Sequence, residues 1–201
     1  MIDLGASAKL FRNTKVKIGY YNAPITDLNG FKYEQKTCEL CKTEQNVFTI
    51  NPNLNPSPEW ICIQCLNSIK IESPHCTEFG YVDINLPEFL KEEDAKSHVK
   101  EEAYWEMMRT PRYLALQSEN WLCHCDDFMD FIGTWEAPDF TKNSKDGNGK
   151  NLFISMTDES SQHLWDDFEL MESEGKHTWQ DCLYYAFKCR KCETMRGHWE
   201  M

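Results

Sequence analysis

Cys38-Glu-Leu-Cys41 and Cys62-Ile-Gln-Cys65 are two Cys-x-x-Cys units separated by twenty residues. Each unit offers two soft thiolates from one tight turn, and the spacing lies at the upper edge of the pattern typical of structural zinc. Four thiolates close a tetrahedral coordination sphere and leave no position for a substrate. We therefore predict a structural zinc site with Cys38, Cys41, Cys62 and Cys65 as ligands; two disulfides or four free thiols are the alternatives.

The residues around these units indicate β-hairpins. Residues 46–50 and 59–62 have the composition of strands, and three prolines between them prevent one continuous strand. This order of hairpin and Cys-x-x-Cys turn is typical of a zinc ribbon. We predict an N-terminal zinc-ribbon-like lobe over residues 1–85.

A third unit, Cys189-Arg-Lys-Cys192, needs two further ligands. Cys123-His-Cys125 is the richest nearby source. In an extended segment Cys123 and Cys125 would share one face, whereas a kink at Asp126 would direct His124 and Cys125 together. We predict a second zinc site formed by His124, Cys125, Cys189 and Cys192, with Cys123 and Cys182 as substitutes; an unmetallated turn is the alternative.

Composition limits the compartment and the partner. The chain has 201 residues, ten cysteines and a net charge of −12. It shows neither a secretory leader nor a run of 18 apolar residues, so we expect a cytoplasmic protein without membrane contact, in which metal binding is favoured over disulfides. The negative charge disfavours nucleic acid and favours a basic protein partner, whereas the oligomeric state stays open.

A helical segment separates the two cysteine-rich regions. Pro87 suits a helix start, and Ala95, Val99, Ala103 and Met107 repeat every four residues. Pro111 ends this helix near Arg109 and opens a second helix through Gln117. We predict connecting helices over 86–118 and a β-rich lobe over 119–201. The fold class is α+β, with zinc-ribbon-like hairpins in two lobes joined by an amphipathic helix.

Further elements are predicted inside the C-terminal lobe. Leu152–Met156 has strand character, and residues 162–172 show helical periodicity. Residues 143–150 are polar and glycine-containing, which is typical of a disordered loop.

Exposed carboxylates are the candidate partner surface. Acidic side chains recur along the connecting helix and in residues 158–167, and Trp165 would serve as an aromatic anchor. A solvated helix face is the alternative interpretation. The predicted partner-binding residues are Glu92, Glu93, Glu101, Glu102, Asp158, Glu159, Trp165, Asp166 and Asp167.

Four motifs together resemble the CbrC family of small bacterial cysteine-rich proteins. They are Arg109-Thr-Pro-Arg-Tyr113, Trp121-Leu-Cys-His-Cys-Asp-Asp127, Phe131-Ile-Gly133 and Tyr185-Ala-Phe-Lys-Cys-Arg-Lys-Cys192. The two early Cys-x-x-Cys units also match that family. The resemblance implies a cytosolic bacterial protein, and the family's namesake is associated with tolerance to a nuclease colicin. Together with the acidic charge, it leads us to expect a tolerance or immunity protein that binds and neutralises a toxin.

An enzyme is the alternative function. Cys123 or Cys125 would act as nucleophile with His124 or His163, or Asp126, Asp127 and Asp130 would hold a catalytic metal. Adjacent His and Cys side chains diverge in a strand, and the sequence has no phosphate loop, nucleophile elbow or H-E-x-x-H motif. We therefore expect a non-enzymatic binding module.

Overall fold

The computed structural model describes residues 19–20, 33–49, 60–62, 64–65, 75–82, 99–107, 110, 113, 115–167 and 182–200. The strands in these ranges are β1 (Tyr33–Thr37), β2 (Glu44–Thr49), β3 (Trp60–Cys62), β4 (His75–Thr77), β5 (Gly80–Val82), β6 (Asp130–Trp135), β7 (Leu183–Lys188) and β8 (Met195–Glu200). The helices with described bounds are α1 (Glu101–Met107), α2 (Ala137–Asn143) and α3 (Gly149–Met156), with a 3-10 turn at Glu159–Ser161, and residues 64–65 and 164–167 are also helical. The predicted α+β class with hairpins is confirmed.

Three antiparallel sheets organise the strands. The first has the order β1-β2-β3 and the third the order β6-β7-β8, while β4 and β5 form a separate hairpin. Thr37 pairs with Glu44 across the turn of the first sheet, and Lys188 pairs with Met195 across the turn of the third. Each of these turns contains a Cys-x-x-Cys unit.

The central strand of the third sheet separates two hydrophobic cores. Leu183, Tyr185 and Phe187 belong to the main core, whereas Tyr184 and Ala186 belong to a second core. Alternate residues of a strand face opposite sides, so both faces of β7 are covered. This double burial explains why β7 is an almost continuous apolar run.

A bulge lets the neighbouring strand β6 serve both cores. Its register against β7 shifts between Phe131 and Gly133. Phe131 lies in the main core, but Trp135 lies in the second core. In a regular strand, two side chains that are four residues apart lie on the same face. The extra residue of the bulge reverses this alternation, so Phe131 and Trp135 lie on different faces.

The main core crosses all three predicted segments of the chain. It includes Cys38 and Ile61 from the first sheet, Met107 from α1, and Phe131 and Phe187 from the third sheet. Val99, Ala103 and Met107 of the predicted apolar helix face are buried. One continuous core therefore joins the two cysteine-rich regions, and the exact boundaries 1–85, 86–118 and 119–201 stay a prediction.

A fully buried tryptophan occupies the centre of the main core. The Trp121 ring makes edge contacts with Tyr113, Phe131 and Phe187. Its Nε1 lies 3.1 Å from His75 Nδ1, and its backbone pairs with β4. Trp121 therefore connects the small β4–β5 hairpin to the third sheet.

The predicted second helix over 110–117 is wrong for its described residues. Tyr113 and residues 115–117 are not helical. Side-chain carboxylates accept the backbone N–H groups instead: Glu119 from Tyr113 at 3.2 Å, and Glu200 from Leu116 and Gln117 at 2.9 and 3.0 Å. Tertiary hydrogen bonds have replaced the helical ones.

The predicted strand at Leu152–Met156 is also wrong, because these residues lie in α3. Asn148 caps this helix by accepting a hydrogen bond from the Asn151 N–H at 3.1 Å. A Cβ on Gly149 would lie 2.6 Å from Thr141 Oγ1, so glycine permits the close approach of α2. The segment predicted as a disordered loop therefore contains the end of α2 and the cap of α3.

In the part of the chain that the structure describes, no helix is long and apolar enough to cross a membrane.

Candidate metal centres

The first cysteine cluster lies between the first sheet and the main core. Cys38 and Cys41 occupy the turn from β1 to β2, and Cys62 and Cys65 come from the end of β3 and just beyond it. The four sulfur atoms all lie within 4.8 Å of one another. The structure thus brings together the four cysteines named from the sequence.

Backbone hydrogen bonds shape the first turn. The Cys38 N–H donates to the Thr43 carbonyl, and the Lys42 N–H donates to the Cys38 carbonyl, both at 2.9 Å. Lys42 adopts a left-handed φ of 58°. The Glu39 N–H donates to the Trp60 carbonyl at 2.9 Å and so ties the turn to β3. This geometry directs both thiols of the unit towards Cys62.

Backbone N–H groups favour the thiolate form of one cysteine in this cluster. Burial raises the pKa of Cys38, but hydrogen bonds from the backbone of Cys62, Cys41 and Leu40 outweigh it and lower that pKa to about 6. Burial raises the pKa of Cys65 to about 12, with hydrogen bonds to the neighbouring thiols adding to the effect. Metal binding therefore has to displace protons from the less acidic thiols.

The second cluster joins two distant parts of the chain. Cys189 and Cys192 occupy the turn from β7 to β8, whereas His124 and Cys125 precede β6. Their ligand atoms also lie within 4.8 Å of one another. Cys125 Sγ lies 3.7 Å from Cys192 Sγ, and His124 Nδ1 lies 3.1 and 3.3 Å from these two sulfurs.

The second turn repeats the geometry of the first. The Cys189 N–H donates to the Thr194 carbonyl at 2.8 Å, the Glu193 N–H donates to the Cys189 carbonyl at 3.1 Å, and Glu193 has a φ of 61°. Both turns share the pattern Cys-x-x-Cys-x-Thr, ending at Thr43 and Thr194. The threonine shared by both patterns is visible in the sequence, but its contribution to the two cysteine turns was not predicted.

Thr194 tunes the exposed end of the second cluster. Its hydroxyl lies 3.2 Å from Cys192 Sγ and is the main cause that lowers the pKa of Cys192 to about 6. The pKa of Cys125 is instead raised to about 11, chiefly by its hydrogen bond with Cys192. A proton shared between these two sulfurs accounts for the opposite directions.

A left-handed turn determines which residues reach the second cluster. Cys125 and Asp126 have φ values of 54° and 58°, so the chain bends where the sequence analysis allowed for a kink. His124 and Cys125 consequently point to the Cys189–Cys192 turn. Cys123 stays buried in the main core, and Cys182 is buried as well.

The interatomic distances suit a tetrahedral ion. Thiolates about 2.3 Å from a zinc ion lie roughly 3.8 Å from one another. The Cys41–Cys62 and Cys125–Cys192 sulfur separations are 3.9 and 3.7 Å. All ten cysteines are free thiols, so neither disulfide of the two-disulfide alternative is formed. Both donor sets therefore fit a four-coordinate metal.

Arg190, inside the second turn, connects this centre to the rest of the fold. Its guanidinium pairs with Asp130 of β6 and with Glu106 of α1, the latter at 2.8 Å. It also donates to the Gly19 carbonyl and covers the Tyr20 ring, with 4.0 Å between Cζ and the ring centroid. This role of Arg190 was not predicted from the sequence, because it depends on contacts between residues far apart in the chain.

The structure gives the exposure of seven of the nine predicted partner-surface residues. Glu92 and Glu93 lie outside the described residues. Trp165 is a correction: it is 2 % exposed and packs against Phe140 and Phe153 in the second core, so it is not a surface anchor. The remaining predicted acidic residues are exposed: Glu101, Glu102, Asp158, Glu159, Asp166 and Asp167.

Comparison with known proteins gives one match. A family model described as "Uncharacterised protein family (UPF0167)" matches residues 17–201 and therefore includes both clusters. No curated protein and no solved structure matches the chain.

Proposed function

We propose that this chain, which belongs to the uncharacterised protein family UPF0167, is a non-enzymatic, zinc-stabilised module that binds a basic protein partner through its acidic surface. The observation that carries the zinc proposal is the convergence of four ligand atoms within 4.8 Å at each of two clusters. Four protein ligands saturate a tetrahedral ion, which is typical of a structural centre.

The donor atoms support zinc as the metal. Seven of the eight proposed ligands are cysteine sulfurs and the eighth is the His124 imidazole. Thiolate and imidazole ligands select zinc over magnesium or calcium, which prefer oxygen. Metal-linked folding would hold the first and third sheets in place.

The contacts of the alternative catalytic residues support a structural role for them. Burial, followed by the nearby Glu78, raises the pKa of the Cys123 thiol, which disfavours the thiolate that a nucleophile needs. Asp127 accepts a hydrogen bond from the Tyr20 hydroxyl at 2.8 Å, and Asp130 pairs with Arg190. His124 and Cys125 belong to the second cluster.

Charge distribution supports a basic protein partner over nucleic acid. The net charge is −12. Arg190, Arg196 and Lys188 form ion pairs with acidic groups of the same chain. Exposed carboxylates lie at residues 158–159 and 166–167, and among them Asp166 pairs with Lys150 at 2.7 Å. Such a surface would accelerate association with a positively charged protein.

The resemblance to the CbrC family suggests a more specific partner. A nuclease toxin must bind phosphates and is therefore expected to be basic. Capture of such a toxin by an acidic surface would account for a tolerance or immunity role in the bacterial cytoplasm. This role rests on the resemblance and on the charge of the chain.

Elemental analysis of the purified chain tests the metal proposal. We expect two zinc equivalents per chain, with Cys76→Ser as a matched control because Cys76 lies outside both clusters. Purified, folded protein without zinc would reject the zinc-stabilised module.

Binding measurements test the partner proposal. The chain would be tested against toxins encoded beside its gene at low and high salt. We expect affinity to fall with salt and with the double reversal Asp166→Lys and Asp167→Lys. Glu44→Lys with Glu193→Lys is the control, since it changes the net charge equally at exposed positions beside the two turns. Equal effects of the two reversals would reject residues 166–167 as the docking surface.

A further inference from the structure

The two clusters differ in the exposure of their sulfurs. Cys125 and Cys192 are both exposed, whereas in the first cluster the exposed Cys41 faces Cys62, which is 1 % exposed. We infer that Cys125 and Cys192 are a peroxide-sensitive pair whose oxidation to a disulfide opens the second metal centre while the first stays closed. This inference rests on the proposed function, because it requires zinc in the second cluster.

The geometry brings the two sulfurs close without rearranging a strand. They lie 3.7 Å apart, and a disulfide needs about 2.05 Å. Cys125 lies in an irregular turn outside the strands, and Cys192 lies in the turn between β7 and β8. Bond formation therefore requires movement of turn residues on the protein surface, not of the cores.

Hydrogen-bond donors reach sulfurs of both clusters, and in the second cluster the Lys191 N–H donates to Cys189 Sγ at 3.4 Å. Cys38 Sγ accepts from the Cys62 N–H, and Cys62 Sγ accepts from the Cys65 N–H, both at 3.4 Å. Cys41 Sγ accepts from Gln45 Nε2 at 3.3 Å. Among the described residues, the contacts of Cys125 Sγ are the neighbouring ligand atoms, without a backbone N–H donor. Cys125 therefore offers an exposed sulfur to an electrophile.

The chemistry balances with one peroxide molecule. One of the two exposed thiolates attacks a peroxide oxygen, the O–O bond breaks to leave that cysteine as a sulfenic acid, and the departing hydroxide becomes water on protonation. The other thiolate then attacks the sulfenic sulfur, the S–S bond forms, and the sulfenic oxygen leaves as a second water after protonation. Two thiolates, one hydrogen peroxide and two protons give one disulfide and two waters.

The disulfide would leave two ligands at the second centre. His124 and Cys189 cannot complete a tetrahedral coordination sphere, so zinc would dissociate. The first cluster would keep its four sulfurs. The chain would then lose one of two metal ions under oxidation and keep its main core.

Zinc release and disulfide mapping test this on the full-length, zinc-loaded protein. Hydrogen peroxide is added stepwise, a colorimetric chelator reports free zinc, and mass spectrometry without reduction locates disulfides. We expect one zinc equivalent per Cys125–Cys192 disulfide and its return when dithiothreitol and zinc are added. A first disulfide elsewhere, or simultaneous release of both ions, would overturn the inference.

Two variants separate this inference from the metal proposal. Cys192→Ser removes one partner of the disulfide and one zinc ligand, so this variant should start with one zinc and release none at the peroxide dose that frees one equivalent from the unmodified chain. Cys76→Ser should respond as the unmodified chain does. Two bound zincs that peroxide does not release would reject this inference alone, whereas a chain that contains no zinc at the start would reject the proposed function as well.

Discussion

The two clusters share one turn but build the rest of the centre differently. In the first, the additional cysteines come from β3, which follows the hairpin and pairs with β2. In the second, His124 and Cys125 precede β6, which pairs with β7 before the turn. A Cys-x-x-Cys-x-Thr turn therefore specifies half a metal centre locally, while the tertiary fold decides which residues complete it.

The clusters also differ in their relation to the core. Cys38 and Cys62 are members of the main hydrophobic core. Cys125 and Cys192 are exposed, and the second centre reaches the interior chiefly through Cys189 and Arg190. The first centre should therefore be required for folding, and the second should stabilise one surface region and α1.

The largest expected effect is loss of the first centre. Structural zinc contributes about 10–16 kcal/mol to the folding of small modules. Cys38→Ser should therefore unfold the first sheet and remove one zinc, whereas Cys192→Ser should remove one zinc and retain a cooperative thermal transition. Circular dichroism measures the structure of both variants, and elemental analysis measures their zinc content. Equal loss of structure in the two variants would contradict the different roles of the two centres.

The next effect concerns the unity of the second centre. If Cys125 and Cys189 bind the same ion, each serine variant should lower the zinc content by the same single equivalent. Cys123→Ser should leave the zinc content unchanged, because that thiol is buried outside the cluster. Unequal losses for Cys125→Ser and Cys189→Ser would mean that these residues do not share a metal.

A smaller effect is expected at Arg190. Arg190→Ala removes the ion pairs with Glu106 and Asp130 and the contact with Tyr20, and should lower the free energy of unfolding by about 2–3 kcal/mol. Lys145→Ala, at an exposed position between α2 and α3, should change it by less than about 0.5 kcal/mol. Denaturant titration measures the free energy of unfolding of both variants. Equal changes in the two variants would show that Arg190 does not connect the second centre to the rest of the fold.

The smallest effect is on acidity. Thr194→Val should raise the pKa of Cys192 from about 6 towards its ordinary value, because the hydroxyl contact is lost. The lowered pKa stabilises the folded, metal-free chain above the ordinary thiol pKa, and this contribution disappears as the pH falls through about 6. Alkylation of Cys192 against pH, followed by mass spectrometry, should show a higher midpoint in the variant and an unchanged one in Thr43→Val.

Local patterns predicted the cysteine turns well, because the ligand spacing and turn geometry depend on neighbouring residues. The choice of His124 over Cys123 depended on the left-handed backbone at Cys125 and Asp126, which the sequence analysis could only offer as an alternative. Composition misled at Leu152–Met156, where apolar residues suited a strand but the Asn148 cap and packing against α2 favoured a helix.

Long-range contacts account for the other errors. Leu116 and Gln117 are not helical, and Glu200, more than eighty residues away, accepts their N–H groups instead. Trp165 is buried because its helical turn packs on Phe140 and Phe153. Neither partner is visible in a local window of the sequence.

The two-sided burial of β7 has a consequence for how the molecule opens. Tyr184 faces one core and Tyr185 the other, so neither core can expose its interior without disturbing the same strand. The amide protons at the middle of β7 should then exchange with solvent only when the third sheet opens as a unit. Fluctuations that open the exposed second metal centre can be frequent. Amide exchange at the middle of β7 should instead report only the rare events in which both cores separate.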